Sequence, residues 1–103
     1  MNVRSLIKEF NRLISEKFSD FKGIYLFGSR AIGKAKKDSD VDLVLMFHEI
    51  NKDKKFQVYD VLSDLMYKYD VFMDVQIMDE AMLRFNPFFY EQVTGKGKFY
   101  GAT

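Results

Sequence analysis

The stretch FGSRAIGKAKKDSDVDL, Phe27–Leu43, decides how this chain is read. Gly28 to Lys34 fits the first seven positions of a phosphate-binding P-loop, and the stretch ends in the acid pair Asp40-Val41-Asp42. The P-loop reading fails on its own chemistry. The residue after the loop lysine must carry a hydroxyl for Mg²⁺, and here it is Ala35. The lysine should also open a long helix facing the phosphates, but Lys34 leads into the polar run AKKDSD.

The acid pair supports a different reading. Val41–Phe47, VDLVLMF, is the strongest strand pattern in the chain. Period-2 alternation sends Val41, Leu43, Leu45 and Phe47 to one face and Asp40 and Asp42 to the other. Two like charges this close repel unless a cation lies between them. A Mg²⁺ pair about 3.5–4 Å apart would remove that repulsion, and Mg²⁺ favours carboxylates shared with substrate phosphates. The alternative is a solvated strand start. Asp74 weighs against it, because it interrupts the otherwise apolar run VFMDVQIM, Val71–Met78. There Val71, Met73, Val75 and Ile77 share one face, and Asp74 and Gln76 the other. If the two strands are neighbours, three carboxylates converge. Gly28-Ser29, straight after the apolar run Ile24–Phe27, allows a tight turn that can hold phosphate oxygens, or is a plain capped turn.

Outward from this centre, Leu6, Ile7, Phe10, Leu13, Ile14 and Phe18 predict an amphipathic helix over residues 3–18. Val58, Tyr59, Leu62, Leu65, Met66 and Tyr69 predict another over 53–69, with Tyr67 and Tyr69 packing on its face. Asp79-Glu80 can cap a short helix, Pro87 starts or interrupts the next turn, and Lys98–Tyr100 can add an edge strand. The simplest packing is an α+β fold, a small mixed β-sheet with helices on one face. The 103 residues suit a single domain, 1–103. The absence of cysteine excludes thiolate metal sites and disulfides and fits a cytoplasmic protein. No apolar run reaches the roughly 20 residues of a membrane span, and the start MNVRSLIKEF does not read as a signal peptide. A net charge of +1 gives no general field for nucleic acid, so no direct specific nucleic-acid partner is expected.

Taken together, these residues resemble the DNA polymerase β-like nucleotidyltransferases. That signature is Gly-Ser, ten residues, then Asp-x-Asp, with a third acid on a later strand. Here Gly28-Ser29 is followed by the ten residues 30–39, then Asp40-Val41-Asp42, and Asp74 stands where the third acid belongs. In element order and length the whole chain looks like the minimal nucleotidyltransferases. The resemblance implies that Asp40 and Asp42 bind two Mg²⁺ ions (Mn²⁺ suits the same oxygens). Asp74 would hold the catalytic metal and help deprotonate the attacking hydroxyl. Gly28 and Ser29 would grip the terminal phosphates of ATP or another NTP, and Arg30 matches an Arg that often follows Gly-Ser. Many members carry a second Arg where this chain has Ile32. Relatives of this type often pair with a small helical HEPN-domain toxin and act as antitoxins by adding AMP to one of its tyrosines.

Two other functions stay open: a non-catalytic module that neutralises a toxin by contact, and a catalytic subunit for antibiotic-type nucleotidylation. Lys34, Lys36 and Lys37 form a basic run that reads as solvated loop before it reads as a phosphate contact. His48, the only histidine, reads as a surface or packing residue. Phe85, Phe88, Phe89, Tyr90, Phe99 and Tyr100 read mostly as core. The surplus of aromatics points to an interface, with a homo-oligomer as one form of it.

Overall fold

The computed structural model describes residues 2–36 and 40–103. Helix α1, Val3–Lys17, starts where the Asn2 side chain accepts the Ser5 N–H, and buries Leu6, Ile7, Phe10 and Ile14. Strand β1, Phe21–Phe27, begins earlier than Ile24 because Gly23 does not break it. Gly23 adopts φ 143°, the register shifts between Phe21 and Gly23, and an added Cβ would lie 2.4 Å from the Tyr100 carbonyl. Only glycine fits this irregularity.

Strand β2, Val41–Phe47, runs antiparallel to β1. Helix α2, Lys52–Tyr69, is capped by Asn51 and ends at Asp70 in the left-handed conformation, φ 49°. Strand β3, Met73–Met78, pairs parallel with β2. Helix α3, Glu80–Arg84, has the expected Asp79 cap, with the Met82 N–H donated at 2.8 Å. Helix α4, Pro87–Tyr90, starts at the proline. A π-helical turn, Glu91–Gly95, leads into strand β4, Lys98–Gly101, an edge strand antiparallel to β1. The mixed sheet has the order β3-β2-β1-β4.

The main core lies between the sheet and α1 and α2. Val41, Leu43, Leu45 and Phe47 meet it, as the alternation predicts, with Met73 and Ile77 from β3. The opposite face is not bare. Val44 and Met46 pack there with Leu83 and Val93, so the short C-terminal helices cover a second, smaller cluster. Tyr67 departs from its expected packing role: it is 92% exposed, while Tyr69 packs on the main core and donates to Glu9. The C-terminal aromatics divide. Phe89, Tyr90 and Tyr100 pack, but Phe85 is 90% and Phe88 74% exposed. Helices of four and five residues have too little covered face to bury every aromatic they carry. Among the described residues, no helix is long and apolar enough to cross a membrane.

Candidate active site

The acids meet through strand register. Parallel pairing sets Asp42 directly beside Asp74, and antiparallel pairing sets Phe27 beside Asp42. Asp42 is half-buried, whereas Asp74 is exposed on the edge strand and Asp40 is exposed just before β2. Exposure removes one sequence argument: Asp74 is not a buried acid in need of a partner. Like charge remains. Burial pushes the Asp42 carboxyl above its ordinary range, and the neighbouring Asp74 and Asp40 push it further the same way.

The Gly28 turn closes on this group. Gly28 has φ 77°, and a Cβ there would lie 2.5 Å from the Asp42 Oδ2 atom. The loop is then pinned from behind. Ala31 donates its N–H to the Gly28 carbonyl and buries its methyl in the main core, and Lys34 donates to the Ser29 carbonyl. Ser29 and Arg30 are left half-buried at the end of β1. Ile32 is 51% exposed, so the position where many relatives carry arginine does face solvent. Lys34 and Lys36 are exposed, and Lys37 lies outside the described residues. His48 is exposed beyond the far end of β2, away from the acids.

The donor set suits a hard cation. Carboxylate oxygens on adjacent strands match Mg²⁺, which takes one or two carboxylates and fills its shell with water and substrate phosphates. A cation would also lower the Asp42 carboxyl that its neighbours raise. Among the described residues, no three His, Cys, Asp or Glu side chains gather closely enough to cage an ion by themselves. An ion here would therefore depend on ligands brought by a nucleotide.

Residues 8–99 match the family model "Polymerase beta, Nucleotidyltransferase". The chain belongs to this family. It is therefore a nucleotidyltransferase. It is 31% identical over 101 residues to a Methanocaldococcus jannaschii protein provisionally named a protein adenylyltransferase, covering 95% of this chain and 97% of that one. Its fold is similar to a chain of a toxin–antitoxin complex with AMP-PNP, with TM-score 0.62, 22% identity, and 96% and 73% of the two chains covered. It is also similar to a chain of the tri-AMPylated Shewanella oneidensis HEPN toxin in complex with its MNT antitoxin. There the TM-score is 0.61 at 19% identity, with 97% and 72% covered. Cations that sequence reasoning missed lie beside this nucleotidyltransferase centre: Arg4 and Lys98 line a cleft with Arg30. Their separation along the chain left no local signal.

Proposed function

We propose that this nucleotidyltransferase transfers AMP from ATP to a hydroxyl of another protein, a tyrosine of a small HEPN-type toxin, and so acts as its antitoxin. The observation that carries the reading is the Asp42–Asp74 register pair with Gly28 against the Asp42 carboxylate. Residues 1–103 would work as one catalytic unit in the cytoplasm. Asp40, Asp42 and Asp74 would hold two Mg²⁺ ions, which supply charge neutralisation for the triphosphate. Gly28 lets the chain approach the phosphates, and the Ser29 hydroxyl and Arg30 bind them. Asp74, exposed at the sheet edge, takes the proton from the acceptor hydroxyl. That oxygen forms the new bond to the α-phosphorus, and pyrophosphate leaves. The relative's adenylyltransferase name and the AMP-PNP and AMPylated neighbours support adenylyl transfer to protein. The exposed Met82, Phe85 and Phe88 offer an apolar surface for a protein partner.

The test is transfer of label from α-phosphate-labelled ATP, with Mg²⁺, into proteins of a source-cell lysate. Wild type should label one discrete band and Asp42→Asn none. Equal labelling by both would refute the role of the acid pair. Absence of label alongside retained toxin neutralisation would favour a non-catalytic module.

A further inference from the structure

The two strands that carry the acids differ in what surrounds each carboxylate. Parallel register lays rows across β2 and β3: Asp42 beside Asp74, then Val44 beside Gln76, then Met46 beside Met78. Met73 and Ile77 enter the main core, so Asp74, Gln76 and Met78 turn to the opposite face. Val44, Met46 and Met78 pack there in the second cluster. Asp42 has apolar neighbours on this face, with Phe27 beside it on β1 and Val44 next along β2. Asp74 has Gln76 next along β3. Two residues of extended chain place these two side chains about 6–7 Å apart. Val44 is fully buried and offers the Gln76 amide no partner. Among the described residues the Gln76 side chain makes no hydrogen bond, and its half-buried amide is not sealed from solvent. Free surface amides are common, but this one lies on the acids' face, next to Asp74, on a strand at the sheet edge.

In the proposed reaction the triphosphate lies against the Gly28 turn, which follows β1 and closes on Asp42. In-line displacement sends pyrophosphate toward that turn, so the attacking oxygen arrives from the other side, over β3. The acceptor then covers Asp74, and the atoms flanking its hydroxyl meet Gln76. We infer that the Gln76 carboxamide binds a backbone amide of the acceptor tyrosine while Asp74 faces its hydroxyl. A primary amide has two donors and a carbonyl acceptor, which match the C=O and N–H of a peptide group. A tyrosine spans a distance similar to the Asp74–Gln76 separation between its hydroxyl and its own backbone amides. Gln76 leaves the chemistry unchanged: the proton passes to Asp74 as the oxygen–phosphorus bond forms and pyrophosphate departs. The inference rests on the proposed transfer to a protein tyrosine. It adds a preference for tyrosine within a peptide over a bare phenol.

The probe is N-acetyl-tyrosinamide, a tyrosine with both backbone amides, added to isotope-labelled protein with Mg²⁺ and a non-hydrolysable ATP analogue. In NMR titrations the Gln76 side-chain amide signal should move saturably. Gln76→Met, similar in length but without the amide, should bind the probe about two- to tenfold more weakly, as for one lost hydrogen bond. Para-cresol, the same ring and hydroxyl without backbone amides, should bind wild type and variant equally. Gln76→Val, a strand former, serves if the methionine variant does not fold. Absence of a saturable Gln76 shift, or equal probe affinity in wild type and variant, overturns the inference. An equal loss of para-cresol binding also overturns it, because the amide would then act on pocket shape. Weaker binding of the ATP analogue alone by Gln76→Met overturns it too, by placing the amide on the nucleotide. The two readings fail separately, since the titration needs no transfer. Probe binding without any labelled lysate protein removes the transfer reading and keeps the tyrosyl contact. Labelled protein with the Gln76→Met KM and kcat unchanged keeps the transfer and removes the contact.

Discussion

Replacing Asp42 with Asn should make the metal-free protein more stable while removing its activity. The substitution keeps the shape and deletes one charge from a register pair with Asp74, close to Asp40. Everything that shifts the Asp42 carboxyl pushes it the same way: burial first, then the two neighbouring acids. Like charges directly opposite in a sheet cost about 0.2–1 kcal/mol for each pair, and with half-exposure to water weakening each contribution, burial and the two acids together come to about 1 kcal/mol. In a domain of this size that is a rise in Tm of about 4–8 °C. The pH dependence follows from the raised pKa. The folded protein holds the Asp42 proton more tightly than the unfolded chain does. The stability this contributes is complete below the unfolded pKa near 4 and is lost as pH rises through the higher folded value. The gain from Asn should therefore be small below about pH 4 and full at neutral pH. Thermal unfolding in EDTA across pH 3–8 measures it. Adding Mg²⁺ with a non-hydrolysable ATP analogue should raise the wild-type Tm more than the variant's. A variant less stable than wild type at neutral pH, or a difference independent of pH, would refute the electrostatic account.

Other outcomes follow from single contacts. Gly28→Ala and Gly33→Ala both force a positive φ, costing about 1–2 kcal/mol each, but only the Gly28 Cβ would strike Asp42. Matched urea titrations should show a larger loss for Gly28→Ala, and label transfer should survive only in Gly33→Ala. Lys54→Met should destabilise by about 2–3 kcal/mol in urea unfolding, below the full cost of breaking a buried pair because Asp20 is partly exposed. It removes the 2.6 Å bonds from the Lys54 ammonium to Asp20 and to the Glu49 carbonyl. Burial raises the Asp20 carboxyl, but Lys54 and the Glu49 N–H outweigh it and leave it lowered. That contribution is present above an unfolded pKa near 4 and lost as pH falls through the folded value, so the variant's acid sensitivity should be smaller. Phe85→Ser should leave the unfolding free energy within about 0.5 kcal/mol of wild type, because the ring is exposed. Co-purification with the proposed toxin partner should fall; unchanged co-purification would remove Phe85 from the proposed interface.

The centre of the fold was legible because its residues obey one period. Val41, Leu43, Leu45 and Phe47 recur at every second position and reach the main core as that period predicts, while Val44 and Met46, apolar on the acids' face, pack into the second cluster. Asp42 and Asp74 could be placed on a common face from sequence, but their pairing required knowing that the strands are neighbours. Asp40 lies one residue before β2 and is exposed, so its alternation could be extended only from outside the strand. The glycine at 23 misleads because the conformational freedom that ends a strand also lets one bulge. Nothing local in the sequence distinguishes Lys54 from Lys52 and Lys55, yet it lies over the Phe47 ring at 4.9 Å and is nearly buried. Residues 80–101 gave the weakest signal. Elements of four and five residues span about one helical turn, too short for a period to register.

The acid pair also explains the connection between its strands. In a hairpin, the first residues of β2 would lie beside the last residues of β3, and Asp74, second in β3, would sit far from Asp42. Parallel pairing brings the two beginnings together, and it requires the chain to travel back along the whole strand. The 18 residues of α2 span about 27 Å at the helical rise, and the seven residues of β2 span about 23 Å at the extended rise. The helix therefore returns the chain to the end where β2 began. Its apolar face, Val58, Val61, Leu62 and Leu65, covers the side of the sheet opposite the acids. One element thus sets the register of two mutually repelling carboxylates and supplies core that holds their strands together.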